Sequence, residues 1–219
     1  MNTTLTQTPL DVIANVSRIV TKVVDRIAGD RVEVPLMVAA ACVEGLKLHG
    51  IQSQIMYGRA AWTEVLENQS VLWAGCWGGN IHFWVATQFG EVVDLNASVA
   101  HHKIGHTSPD LKPRYSPPML WSTEVPRFYR YQPEGVAELE LTDQRDLDHF
   151  ELVLKEVREK CLPDLLKGES EPFPNEPILC PGRKLLDDNQ GTFRHFDRAL
   201  SVYGIPDFPE ELFREETTH

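Results

Sequence analysis

The stretch NIHFWVATQFGEVVDLNAS, residues 80–98, sets an imidazole, His82, and a carboxylate, Asp94, into otherwise apolar sequence. A carboxylate that holds an imidazole fixes its tautomer and lets the ring take up and return a proton, as nucleophilic acyl transfer requires. The same two groups can also form a buried pair that satisfies itself and catalyses nothing. The strands that carry them must bring them together for either outcome.

Side chains alternate across a strand, so register can be tested by which pairing buries one consistent face. Ile81, Phe83, Val85 and Thr87 line up with Val93 and Leu95 when odd positions pair with odd. The loop Gln88-Phe89-Gly90 permits that register, with glycine at the third position where a left-handed residue is needed. Trp84 then stands opposite Asp94 and His82 opposite Asn96, which makes His82 and Asp94 diagonal neighbours, roughly 7–8 Å apart at the backbone. A second hairpin is expected at Gly78-Gly79. It pairs Cys76 with Ile81, Ala74 with Phe83 and Leu72 with Val85, and sets Gly75 opposite His82 and Trp73 opposite Trp84. On that register Trp73, Trp84 and Asn96 are candidate substrate-binding residues beside the pair, and Cys76 belongs to the apolar face.

The surrounding elements follow from periodicity. Thr8-Pro9-Leu10-Asp11 reads as a capped helix start, followed by Leu10, Ile13, Val16, Val20, Val23 and Ile27 at helical spacing and a stop at Gly29. A second helix is expected from Pro35 through LMVAAACVEGLKL to His49-Gly50; apolar on most faces and small at Ala39, Ala40 and Ala41, it suits the centre of a domain. Strands are expected at 51–58, 70–77, 81–88, 91–97 and 127–132, a charged helix from Thr142 to Cys161, and a short one over 192–203. The fold class expected is α+β: a buried central helix packed on an antiparallel β-meander, with additional C-terminal helices. Residues 1–160 read as this domain, and 161–219 as a proline-rich extension packed on it.

Composition narrows the function classes. A formal charge of −11 leaves no basic patch for phosphates, so no nucleic-acid partner is expected. The first residues, MNTTLTQTPLDV, carry neither the basic nor the apolar region of a signal peptide, and no apolar run is of membrane-spanning length. A cytoplasmic protein with reduced thiols and no membrane partner is expected. Four cysteines, Cys42, Cys76, Cys161 and Cys180, show no CxxC pair. His101, His102 and His106 lie close together in HHKIGHTSPDL, but the loop character of that segment speaks for solvated histidines; neither a metal nor a cofactor is expected.

His82-Phe83-Trp84-Val85 followed by Gly90-Glu91-Val92-Val93-Asp94-Leu95 resembles the His-x-Trp and Asp strands of the transglutaminase-like group of papain-fold cysteine enzymes. The segment LMVAAACVEGLKLHGIQSQIMYG is similar to that group's central helix running into its first core strand, so the resemblance covers about residues 35–97. It implies a papain-type core and a Cys-His-Asp order, met here by Cys42, His82 and Asp94. Cys42 is then the nucleophile, His82 the general base and acid, and Asp94 the orienting carboxylate of a hydrolase or acyltransferase acting on a peptide, amide or small-molecule thioester. The group's cysteine opens the central helix, whereas Cys42 lies two turns inside one that starts at Pro35, beyond the terminal dipole. A catalytically inactive relative that serves as a binding or scaffold module is the alternative.

Overall fold

The computed structural model describes residues 6–77, 79–99, 113–138, 144–167, 176–186 and 191–214. Helix α1, Leu10–Ala28, buries Val12, Ile13, Val16, Ile19, Val20, Val23 and Val24 along one stripe and ends where Gly29 turns left-handed at φ 82°. Its start departs from the capping expectation. The flanking residue is Pro9, without a side-chain cap, because Thr8 is engaged elsewhere. Both the amide (2.9 Å) and the hydroxyl (2.6 Å) of Thr8 donate to the buried carboxylate of Glu91. Thr87 Oγ1 and Trp121 Nε1 donate to the same carboxylate at 2.8 and 3.2 Å, so one anion ties the approach to α1 to the sheet.

Helix α2, Pro35–Leu48, has proline at its first turn and buries Val38, Ala39, Ala40, Ala41, Cys42 and Leu46. These residues share one apolar core with α1, with Phe150, Val153, Val157 and Cys161 of α3 (Gln144–Lys167), and with Ile55, Val85, Val93, Met119 and Trp121 of the sheet. Each Val, Leu, Ile, Phe or Met side chain among them that leaves water contributes about 1.5–3 kcal/mol and each alanine methyl about 0.8, which is why an all-round apolar helix sits between layers.

The sheet comprises β1 (Ser53–Leu66), β2 (Val71–Cys76), β3 (His82–Thr87), β4 (Val92–Asp94), β5 (Pro113–Tyr115), β6 (Met119–Ser122), β7 (Tyr129–Val136), β8 (Ile178–Cys180) and β9 (Lys184–Leu186). From β3 it runs through β4 and β6 to β8 and β9, while β2, β5 and β7 attach to β1. All described pairings are antiparallel except β6 with β8. The protein is therefore α+β. Helix α3 continues across residues 160 and 161, and residues 178–186 supply two strands of the sheet, so the C-terminal region belongs to the core architecture.

The strand β1 organises the rest. Met56, Tyr57 and Gly58 pair with β3 and also with β7; Ala60, Ala61 and Trp62 pair with β2 and also with β7. A strand has only two edges, so β2 and β3 share one and lie end to end along it, and β7 takes the other. The hairpin expected at Gly78-Gly79 does not form: β2 and β3 both pair with β1 and not with each other. The β3–β4 register matches the alternation argument, with Val85 opposite Val93 and Ala86 opposite Val92, and Gly90 left-handed at φ 73°.

One side of the sheet faces α1 and α2; the other curls onto itself. Tyr129 on β7 donates to the carbonyl of Pro118 beside β6, although β1, β3 and β4 lie between those strands in the sheet. Ala60, Trp62, Ala74, Leu120, Tyr129 and Leu179 fill this inner side. Helix α4, Gly191–Tyr203, packs Phe196, Ala199 and Leu200 against Val65 near the far end of β1. Beyond it, residues 204–214 cross the back of β1 and β2. Pro206 accepts from Trp73 Nε1 at 2.9 Å, Phe208 meets the Trp73 ring edge-on at 5.0 Å, and Arg59 donates to the carbonyl of Phe213.

Candidate active site

His82 and Asp94 meet on the inner side. His82 Nε2 donates to Asp94 Oδ2 at 2.8 Å, with the two side chains 3% and 1% exposed. The backbone amides of Asn96 and Ala97 donate to Oδ1 at 2.9 and 3.1 Å, and Tyr131 Oη donates to Oδ2 at 2.8 Å. Aromatic rings enclose the imidazole: Trp62 at 5.6 Å and Trp84 stacked at 6.3 Å. The exit of β4 is held by a buried cation. Arg31 reaches the carbonyl of Leu95 at 3.4 Å and pairs with Asp25 and Glu176, and Ser98 Oγ donates to Glu176 at 2.6 Å.

Burial by itself would pull the imidazolium of His82 down. The Asp94 carboxylate opposes that through its charge and its hydrogen bond, Cys76 adds to it, and His82 is pushed up to about 10. Burial works in the opposite direction on Asp94, but His82, Tyr131 and the Asn96 amide together hold its carboxyl below the usual range.

The thiol that acts on His82, helping to raise its imidazolium, is that of Cys76. Its place follows from the shared edge. Cys76 pairs with Ala60 and His82 with Gly58, two residues apart on β1, so both side chains project from the same side of the sheet at a backbone spacing of roughly 7 Å. Nε2 of His82 is committed to Asp94, which leaves Nδ1 for the sulfur. Cys76 is half-buried, unlike the other three cysteines, which are buried; all four are unbridged. The expectation that Cys76 lies on the apolar face rested on the hairpin that does not form.

Cys42 is placed elsewhere. It lies in the second turn of α2, 1% exposed, among Phe83, Val85, Val93 and Leu95, whose side chains alternate with those of His82, Trp84 and Asp94 and so point to the opposite side of the sheet. Burial, with the Cys161 thiol nearby, pushes its thiol far above the ordinary range. The structure does not bring Cys42 to His82.

Of the three expected substrate-binding residues, Trp84 is on the inner side but 3% exposed, packed between His82 and Tyr131. Asn96 is 2% exposed, and its side-chain amide has no hydrogen-bond partner among the described residues. Trp73 is a correction: it pairs with Thr63 and faces the back of the sheet, under residues 206–208, because its strand follows β1 and not β3. Tyr131 and Cys76 are the residues that the alternation argument missed. His101, His102 and His106 lie outside the described residues; among those described, no group of three or more His, Cys, Asp and Glu could hold a metal ion.

No known family model matches this chain, and no curated protein matches it either. One solved structure, that of a genomics target, is 14% identical and superposes with a TM-score of 0.40 over 78% of this chain and 84% of its own. At that score the likeness carries no argument. Among the described residues no helix is long and apolar enough to cross a membrane.

Proposed function

We propose that this protein is a cysteine-dependent hydrolase or acyltransferase acting on an amide or thioester, with Cys76 as nucleophile, His82 as general base and acid, and Asp94 as the orienting carboxylate. The placement of the Cys76 thiol two positions along β1 from His82, on the same side of the sheet as an imidazole whose Nε2 is fixed on Asp94, carries this reading. The sulfur attacks the acyl carbon as its thiolate, with the proton it has given up held at Nδ1 of the His82 imidazolium. Collapse of the adduct breaks the bond to the leaving amine or thiol, which takes the proton from His82, and a thioester to Cys76 remains. Water or an acyl acceptor then gives its proton to His82 and attacks the thioester, and the proton returns to the departing sulfur. An imidazolium stabilised by Asp94 supplies the cation that a thiolate needs beside it.

The order cysteine, histidine, aspartate is that of the transglutaminase-like group, but here the sulfur sits at the end of a strand and not at the start of a helix. The proposal therefore keeps the group's chemistry and departs from its helix-borne cysteine. A nucleophilic thiol and unbridged cysteines suit a reducing compartment, and we place the protein in the cytoplasm. The depth of His82 favours a second reading, a binding or scaffold module in which the network only stabilises the fold.

Alkylation by iodoacetamide near pH 6, read by peptide mass spectrometry, separates the two. An unperturbed thiol reacts slowly there. Fast labelling of Cys76 over Cys42, Cys161 and Cys180, lost in His82→Ala and slowed in Asp94→Asn, supports the enzyme. Labelling of Cys76 that is slow, or indifferent to both substitutions in folded protein, leaves the binding module.

A further inference from the structure

The Asp94 carboxylate is saturated by four donors from three parts of the fold. Two are backbone amides that follow it, one is His82 on β3, and the fourth comes from β7, whose Tyr131 crosses the inner side to reach it. The crossing has a reason in register. Tyr131 pairs with Ala60, which is also the partner of Cys76, so the tyrosine and the cysteine flank the same small residue on opposite edges of β1. The next inward position on β1 is Gly58, beside His82. With alanine and glycine at those two places, β1 puts no bulky side chain between the tyrosine and Asp94.

We infer that Tyr131 is a positioning residue of the site, its hydroxyl holding the Asp94 carboxylate in the orientation and charge state that fix His82 against Cys76. This rests on the reading of Cys76, His82 and Asp94 as the catalytic set. Both Tyr131 Oη and His82 Nε2 donate to Oδ2, each at 2.8 Å. The carboxylate therefore cannot turn about its own axis without breaking a bond to β7 as well as one to β3. Burial first, and then the Asp94 charge, push the Tyr131 hydroxyl well above its ordinary range, so it stays a donor. The titratable groups that face Asp94 are His82 from β3 and Tyr131 and Tyr129 from β7, with Cys76 acting beyond His82. Tyr129 serves as the internal comparison: it lies on the same strand and side, but its hydroxyl donates to the carbonyl of Pro118.

The test uses the full chain carrying Tyr131→Phe or Tyr129→Phe, with two readouts. The first is the titration midpoint of the Asp94 side-chain carboxyl by carbon NMR; the second is the rate of Cys76 alkylation by iodoacetamide as a function of pH. Removing a donor from the charged form of a carboxyl raises its midpoint. Tyr131→Phe is expected to move Asp94 up by about one to two pH units, the equivalent of one hydrogen bond to a charged group, and to slow Cys76 alkylation at pH 6 about tenfold or more. Tyr129→Phe is expected to leave both readouts where they are. The phenylalanine ring keeps the 5.2 Å contact with Trp84, so the fold is expected to hold. Should it not hold, the Tyr131 hydroxyl proton of the wild type decides: slow exchange and a through-space contact to the His82 Nε2 proton support the bond, and rapid exchange overturns it. An unmoved Asp94 midpoint, an equal movement in Tyr129→Phe, or a moved midpoint with an unaltered alkylation profile overturns the inference. Inert Cys76 in the wild type overturns the catalytic reading itself, and the carboxyl titration distinguishes that failure from the loss of Tyr131's hold alone.

Discussion

Cys76 and His82 come within reach of each other through a strand to which neither belongs. Their partners on β1, Ala60 and Gly58, are two residues apart, and that strand's alternation projects both side chains to one side. The geometry of the thiol and the imidazole thus depends on how tightly β2 and β3 each hold to β1.

Gly75→Ala tests that dependence directly. A Cβ at this position would stand 2.2 Å from the carbonyl oxygen of Ala60 and 2.6 Å from the Cα of Ala61, so β2 must lift from β1 beside Cys76. Expected are a loss of about 1–3 kcal/mol in urea unfolding and Cys76 labelling that no longer responds to His82→Ala. Retention of that response would show that the contact tolerates a displaced β2.

The pH dependence of stability reports the buried pair. His82 is pushed up to about 10 in the fold from an ordinary 6.5, so its contribution is fully present below pH 6.5 and is lost as pH rises through about 10. Asp94 is held below its ordinary 3.8, so its contribution is present above that value and is lost as pH falls through the lower, folded one. The urea midpoint of the wild type is therefore expected to exceed that of His82→Gln most at pH 6, with the difference shrinking toward pH 10. A difference constant over that window would mean that the pair is not charged in the native state.

Glu91→Gln replaces an anion held by four donors with an amide that turns an NH₂ toward some of them. About 2–3 kcal/mol of stability should disappear. Amide exchange at Thr8, whose N–H is committed to this carboxylate, should accelerate before the core opens. If Thr8 exchanges at the wild-type rate, the approach to α1 is anchored by apolar packing alone.

Much of the architecture was legible because it is local. α1 and α2 follow from helical spacing with a glycine stop and a proline start, and the β3–β4 register from alternation plus an odd loop. The β2–β3 relation was not, since Gly78-Gly79 between two apolar strands carries the local signature of a hairpin. The deciding fact is a long-range one: β1 is 14 residues long and can hold two strands in succession on one edge. Read as a hairpin, those strands put Cys76 on the side away from His82 and Trp73 beside it. Tyr131 was invisible for a related reason, as its bond to Asp94 needs the sheet to curl. A search for strands long enough to pair with two successors would have exposed Cys76.

Residues 206–213 grip the back of β2 through Trp73 and of β1 through Arg59. On the ribosome the chain emerges from its N-terminus, so Cys76, His82, Asp94 and Tyr131 are all outside the tunnel before that brace has been made. The thiol's strand is clamped only after residues 206–213 have followed it out, which leaves the nascent protein with its proposed nucleophile on an unbraced edge.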